Sequence, residues 1–421
     1  MSDSLSVPPA SAPSRPLEGV RVLDLTSVLM GPVATLALAD YGADVIKVEP
    51  PGGDIMRHGG YMRHEGMGSV YLHANRNKRS IVINLKAPEG REALLALARS
   101  ADLLVHNVRP EAMKRLGLDY ADLAAVNPRI IYLALVGFDQ RGPYASLPAY
   151  DDIIQGASGL ASLHAKASGG PPAYVPLVIV DRVCGIQAAQ TALAALFMRE
   201  RTSRGQYIEV PMFETMVQLV LGDHFGGETF DPPAGPMGYQ RLLTPHRRPF
   251  RTQDGYIALL VYTDAHWRQF FDAIGQPETL QDPRFSSAAA RARHYDTLYA
   301  ILAEVVAQRT SAEWVSLMRE RDIPCMPIRD FADLVDDEHL QAIGFFQTVD
   351  HPSEGKVRAM RVAARWSDAD LSMQRHAPRA GEQSVELLRE AGYGESAIDR
   401  LLASGVVIQA EAGEDPPAGR G

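Results

Sequence analysis

The sequence predicts an α/β fold: a parallel sheet covered by helices on both faces, followed by a smaller α+β domain. Three observations predict it. From Leu17 to about residue 225, short apolar runs alternate with longer amphipathic ones, the pattern of strands joined by crossover helices. The texture then changes at "GGETFDPPAGPMGYQ", where Gly and Pro crowd a stretch that reads as a linker. A chain of 421 residues also exceeds what one ordinary core supports, so two domains are expected.

The elements follow in order. "VRVLDL" is a strand, and "GPVATLALADYG" a helix with Pro32 in its first turn, where a missing N–H breaks no helical bond. "ADVIKVE" and "RSIVINL" are the second and third strands. "APEGREALLALARSA" is a helix opened by Pro88, and "DLLVHN" the fourth strand. Two short helices lie in "RPEAMKRLGLDYADLAAVNP", before a fifth strand, "RIIYLALVGF". Pro176 to Val180 reads as a short buried strand that ends at a lone carboxylate, Asp181. A helix over 182–200, a strand "QYIEVPM" and a helix through "FETMVQLVLGDHF" complete this part. Beyond the linker, "RRPFRTQDGYIALLVYT" reads as a hairpin turning at Asp254–Gly255. Helices in "DAHWRQFFDAIG" and "YDTLYAILAEVVAQRTSAEWVSLMRERD" follow, with Tyr262, Trp267, Phe270 and Phe271 as the expected core of the small domain. The Ser/Pro-rich start and the Glu/Pro/Gly-rich end are expected to be mobile tails.

Composition narrows the function. With 46% hydrophobic and 22% charged residues the chain is an ordinary globular one. A net charge of -9 argues against nucleic acid or an anionic membrane as partner. No apolar run approaches the roughly 20 residues of a membrane helix, and no secretory signal is visible. The two cysteines, Cys184 and Cys325, make no disulfide framework, so a cytoplasmic location is expected. The first strand–helix turn, "SVLMGP", carries one glycine, Gly31, where a dinucleotide site needs G-x-G-x-x-G. A phosphate loop, H-E-x-x-H and paired C-x-x-C are also missing, so no metal is expected. Two basic clusters remain: Arg76, Lys78 and Arg79, and Arg109, Lys114 and Arg115. Each reads either as solvated surface charge or as a phosphate contact.

Several segments together resemble the class III CoA-transferases of the CaiB/BaiF type, a family that includes formyl-CoA transferase and α-methylacyl-CoA racemase. They are "PLEGVRVLDLTSVLMGP", "YGADVIKVEPPGGD", "NRNKRSIVINLKAPEG", "VHNVRPEAMKRLGLD", "GFDQRGPYASLPAYDDIIQGASG", "VDRVCGIQAAQTALAALFMRERTSRGQYIEVPM" and "DIPCMPI", spread from about Leu17 to about Tyr393. The resemblance implies a Rossmann-like large domain over 16–225, completed by 345–408, with linkers and a small domain over 226–344 and tails at 1–15 and 409–421. It also implies an interlocked homodimer, no permanently bound cofactor, and an acyl-CoA thioester and a free carboxylic acid as substrates.

The resemblance implies that Asp181 is the catalytic carboxylate; read from pattern alone, it is a helix N-cap. A carboxylate can attack a thioester carbonyl and pass CoA on through anhydride and aspartyl-CoA intermediates. Tyr150 and Asp151, in "PAYDD", fall where the transferases place an active-site tyrosine and an acidic neighbour. Backbone N–H groups near Leu29 and Met30 are implied oxyanion donors, and the glutamine of the formyl-CoA enzymes is replaced by Leu29. Asn107, Arg115, Arg79 and Lys47 are candidate CoA contacts, Lys47 equally a plain strand-end lysine. The racemase branch uses a histidine where Tyr150 stands, and a tyrosine is a poor base at neutral pH, so the resemblance favours the transferase. His164 is too far along the chain to be that base, and Cys184 reads as packing. A non-catalytic CoA-binding protein is the remaining alternative, against which Asp181 itself speaks. The glycine-rich loop of oxalate-using members is absent from "GPMGYQRLLTPHRRPFRT". His246, Arg247 and Arg248 in that stretch are candidates to pair with the far carboxylate of a dicarboxylic acid such as succinate, or are a solvated turn.

Overall fold

The computed structural model describes residues 15–410. The mobile tails expected at either end lie almost wholly outside the described residues. The chain opens with β1 (Arg21–Leu25), α1 (Met30–Asp40), β2 (Asp44–Glu49), α2 (Ser69–Asn75), β3 (Lys78–Ile83), α3 (Pro88–Ala98) and β4 (Leu103–His106). It continues through α4 (Pro110–Leu116), α5 (Tyr120–Val126), β5 (Ile131–Val136), α6 (Asp151–Ala157), α7 (Leu160–Ser168), α8 (Ile179–Thr202), β6 (Gln206–Pro211) and α9 (Met212–His224). Contacts divide it into two units: one runs to Ser158, takes Val175–Val217 and resumes at Gln341; the other holds Gly159–Tyr174 and Gln218–Leu340.

Besides a hairpin of β10 (Phe346–His351) and β11 (Gly355–Met360), the first unit is built on a seven-stranded sheet that includes β12 (Val407–Ile408), in the order β12-β3-β2-β1-β4-β5-β6. Every pairing is parallel except that of β12 with β3. β3, β4 and β5 are buried along their whole length, as strands covered on both faces must be. Leu23, Ile46, Ile81 and Leu104 pack with Leu94 and Leu97 of α3, and Leu387 and Leu401 from the C-terminal segment close the same core. Helix ends carry ordinary punctuation: Gly117 closes α4 at φ 64°, and Asp119 with Asp122 forms a capping box on α5. β1 pairs with β2 on one side and β4 on the other. The chain therefore reverses its direction of travel between β1 and β4, which leaves a crevice at their carboxyl ends.

The second unit pairs α10 (Gln240–Leu243), α11 (Asp264–Ala273), α12 (Ala288–Ala292), α13 (Tyr295–Val306) and α14 (Ser311–Glu320) with an antiparallel sheet of β7 (Phe250–Arg251), β8 (Tyr256–Leu259) and β9 (Cys325–Pro327). The hairpin turns at Asp254–Gly255 as its sequence predicts. Trp267, Phe270 and Phe271 are buried, with Trp314 from α14. Tyr262 is a correction: it is 56% exposed, its ring lying under the Arg241 guanidinium instead of in the core.

The stretch before Asp181 is a second correction. No strand forms there. Leu177 N–H bonds to Val175 O and Ile179 N–H to Leu177 O, both at 2.7 Å, which are three-residue turns, and α8 starts at Ile179. Pro176 lacks a ladder donor, and Val175 and Leu177 are exposed. Asp181 is consequently the third residue of the helix and not its cap.

Candidate active site

The loop from β1 to α1 is held from three sides. Asn107, just past β4, grips the backbone of Ser27 twice: its Oδ1 accepts from Ser27 N–H (3.0 Å) and its Nδ2 donates to Ser27 O (2.8 Å). Lys47 Nζ donates to Thr26 O (3.0 Å) and to Asp54 Oδ2 (2.8 Å), and Asp54 Oδ1 accepts from Val28 N–H (3.2 Å). This holds Val28 at φ 68°, a region a β-branched residue rarely enters. Such a conformation persists only where its surroundings over-determine it. The turn delivers Leu29 and Met30 to the start of α1, where the first N–H groups have no intrahelical acceptor and the helix dipole favours negative charge. The single glycine of "SVLMGP" is needed for closeness: a Cβ on Gly31 would lie 2.2 Å from Thr26 Cβ.

A glycine-sized gap brings α8 against this loop. A Cβ on Gly185 would fall 2.7 Å from Met30 O, so α8 can reach the start of α1 only with glycine there. Gly185 lies one turn after Asp181, so the same contact positions the carboxylate. Asp181 is buried, and its backbone N–H donates to Asp151 Oδ2 (3.0 Å). The capping role that pattern assigns to Asp181 thus belongs to Asp151, reaching across from the first position of α6. Asp151 Oδ1 accepts from Gln155 Nε2 (2.7 Å), and Gln155 Oε1 accepts from Val175 N–H (2.9 Å), which ties the irregular stretch to α6. Burial, and then the neighbouring Asp151 carboxylate, push the Asp181 pKa up to about 6; Arg182 offsets part of this. Cys184, also buried, has its thiol pushed up to about 12 and sits 3.8 Å from Met212 O, a packing position.

A cleft of about 480 Å³ runs over this arrangement, with Asp181, Met30 and Asn107 in its wall and Tyr150, 67% exposed, at its side. Arg109 and Arg115, at the two ends of α4, line it as exposed cations with no ion pair among the described residues. The structure thus brings together Asp181, Asp151, Tyr150, Met30, Asn107 and Arg115, with Leu29 at the loop end. Lys47 and Arg79 lie elsewhere. Lys47 is fully buried behind the loop, and Arg79 is buried against Asp44 (2.6 Å), Glu386 (2.8 Å) and Glu390 (2.6 Å), so neither is open to a CoA phosphate. His246, Arg247 and Arg248 belong to the second unit, where the two arginines are exposed. Sequence reasoning missed Asp54, Gln155 and Gly185. Asp54 was in plain view in "PPGGD", but nothing local says that it answers Lys47. No group of three or more His, Cys, Asp or Glu side chains among the described residues could hold a metal ion. No described helix is long and apolar enough to cross a membrane.

Comparison with known proteins gives consistent matches. A family model described as CoA-transferase family III matches residues 17–384. The succinyl-CoA:glutarate CoA-transferase of Mus musculus is 32% identical over 402 residues, covering 94% of this chain and 91% of that protein. The formyl-CoA:oxalate CoA-transferase of Escherichia coli is 32% identical over 408 residues, covering 91% and 98%. Among solved structures, a CaiB/BaiF family protein from Brucella suis superposes with a TM-score of 0.75 at 30% identity, over 89% of this chain and 99% of that one.

Proposed function

The chain belongs to CoA-transferase family III, and we propose that it moves CoA from an acyl-CoA to a free carboxylic acid with Asp181 as the covalent carrier. The observation that carries this reading is the buried Asp181 carboxyl in the wall of the cleft, where Met30 at the N-terminus of α1 also lies. Asp181 carboxylate attacks the thioester carbonyl, and the C–S bond breaks to give a mixed anhydride and CoA thiolate. The thiolate attacks the aspartyl carbonyl, releasing the donor acid and leaving an aspartyl-CoA thioester. The acceptor carboxylate attacks that thioester, and the thiolate then takes the new acyl group, which frees Asp181. Every intermediate stays activated, so no ATP is consumed. Leu29 and Met30 N–H groups receive the oxyanion of each tetrahedral step. Asp151 anchors the first turn of α8. Tyr150 lies along the acyl group, and Arg109 and Arg115 hold the phosphates of CoA.

The acceptor is a dicarboxylic acid of the succinate or glutarate size. The support is the succinyl-CoA:glutarate enzyme among the relatives, together with the lack of the oxalate enzymes' glycine-rich loop. A second copy of the chain completes the particle: Ile186, Leu193 and Phe197 form an exposed apolar stripe along α8.

The test is a coupled assay of succinyl-, acetyl- and formyl-CoA against a panel of mono- and dicarboxylic acids, with hydroxylamine or borohydride trapping during turnover. Mass spectrometry should find a modified residue 181, and Asp181→Ala should lose transfer while still binding CoA. An unmodified Asp181 in an enzyme that is turning over would overturn the carrier role.

A further inference from the structure

Among the described residues that line the cleft, Val28 alone has a positive φ. At 68° the Cβ of an L-residue crowds its own backbone, and a β-branched side chain is worse placed there than most. Freed of its contacts, Val28 would return to negative φ and turn the chain that follows it. Leu29 and Met30 are that chain. Asn107 and Lys47 grip the two residues before Val28, at the Ser27 backbone and at Thr26 O. It is Asp54 that takes the N–H of Val28 itself, at 3.2 Å.

Asp54 is fixed on every side. It is 2% exposed and lies behind the loop, not in the cleft wall, so it is not placed to touch substrate. Its Oδ1 accepts from Val28 N–H and from Met56 N–H (3.0 Å), and its Oδ2 accepts from Lys47 Nζ (2.8 Å), so neither oxygen is free to turn. Its own N–H donates to Glu49 Oε2 (3.0 Å), and Arg57 grips both oxygens of Glu49 (2.7 and 2.6 Å). Burial works to lower the Lys47 pKa, but the Asp24, Asp54 and Glu49 carboxylates outweigh it and raise it. The ammonium therefore stays charged and keeps its hold on Asp54.

We propose that Asp54 is a positioning residue for CoA transfer: by holding Val28 in the left-handed region it aims the Leu29 and Met30 N–H groups at the oxyanion. Its action on the reaction runs through Val28, which sets it apart from a residue needed only for folding. Donors stabilise a transition state most when they are aimed in advance. A loop free to turn therefore loses that stabilisation and leaves substrate binding largely as it was. The inference rests on the transferase reading. The unaltered enzyme tests that reading, by transferring CoA and being trapped at Asp181, whereas variants at positions 54 and 28 test only the inference.

Asp54→Asn offers a single acceptor oxygen to donors on two sides, the Val28 and Met56 N–H groups on one and Lys47 Nζ on the other. In the CoA-transfer assay it should lower kcat by at least about tenfold, with the KM for acyl-CoA within about twofold of the parent. Adding Val28→Gly should recover most of that loss, because glycine holds a positive φ without a clamp. A merely structural role for Asp54 gives no such rescue. Asp54→Glu keeps a counter-ion for Lys47 and displaces the carboxylate by one methylene, so it should show the same split of kcat from KM even where Asp54→Asn does not fold. A folded Asp54 variant with kcat within about twofold of the parent would overturn the proposal. So would a loss of kcat that Val28→Gly leaves unchanged.

Discussion

Asp181 is placed where its ionisation works against the fold. Its folded pKa of about 6 lies above the ordinary 3.8, so the native state favours the protonated carboxyl. The sign follows from linkage. Below pH 3.8 the residue costs nothing, and as pH rises through 6 the cost of holding the anion grows to roughly 2–3 kcal/mol. Asp181→Asn should therefore raise the melting temperature at pH 8 by several degrees and by little near pH 4. A variant that melts equally or earlier at both values would show that the carboxylate is not held at a cost. The same pKa predicts activity: in the proposed mechanism the attacking form of Asp181 is the anion, so kcat/KM should fall tenfold per pH unit below about 6. Asp151→Asn keeps an oxygen to accept Asp181 N–H but removes the neighbouring charge, and should move that acid limb to lower pH. An acid limb that stayed in place would leave burial as the whole cause. Pattern alone could not have read this residue's state, because burial, its first cause, comes from the fold, and its second, the Asp151 carboxylate, sits thirty positions earlier, joined through a bond that only the fold creates.

At the scale of elements, the strands and helices of the sheet were legible because their signals are local. The apolar period of "VRVLDL" or "RIIYLALV" is the same whether or not neighbours are known. The stretch 175–178 was not, since its apolar residues look like strand residues and their turns are fixed by Gln155 and the start of α8. Cations misled for a related reason. A lysine or arginine reads as free until its partners are found, and those of Arg79 include Glu386 and Glu390, some three hundred positions away. The contact of α8 with α1 gives the element-scale prediction. Gly185→Ala places a methyl 2.7 Å from Met30 O, and a backbone atom cannot swing aside as a side chain can. The start of α1 must move, and with it the N–H groups proposed to receive the oxyanion. We expect kcat to drop by at least tenfold at nearly unchanged CoA affinity, with about 1–3 kcal/mol lost in stability. A fall in stability with kcat intact would separate the packing from the catalysis.

At the scale of the whole molecule the constraint is an uncovered apolar face on α8. A 24-residue helix at the centre of a fold would ordinarily expose polar side chains on its outer face, yet α8 presents Ile186 at 65% and Phe197 at 62% exposure, with Leu193 between them. The spacing of seven and four residues sets all three on one side of the helix. Water is a poor neighbour for that stripe, and burial of large apolar side chains is worth about 1.5–3 kcal/mol each. A second copy of the chain, implied by the family resemblance, is the occupant we propose for that stripe. The stripe lies on the same helix as Asp181, so losing the partner should loosen the element that carries the carboxylate. Phe197→Lys with Ile186→Lys places two charges in the stripe and leaves the buried face of α8 untouched. Light scattering should report a dimer for the parent chain and a monomer for the double variant, with a lower melting temperature and reduced transfer activity. A parent that is monomeric at micromolar concentration, or a double variant that stays dimeric and fully active, would remove α8 from any interface.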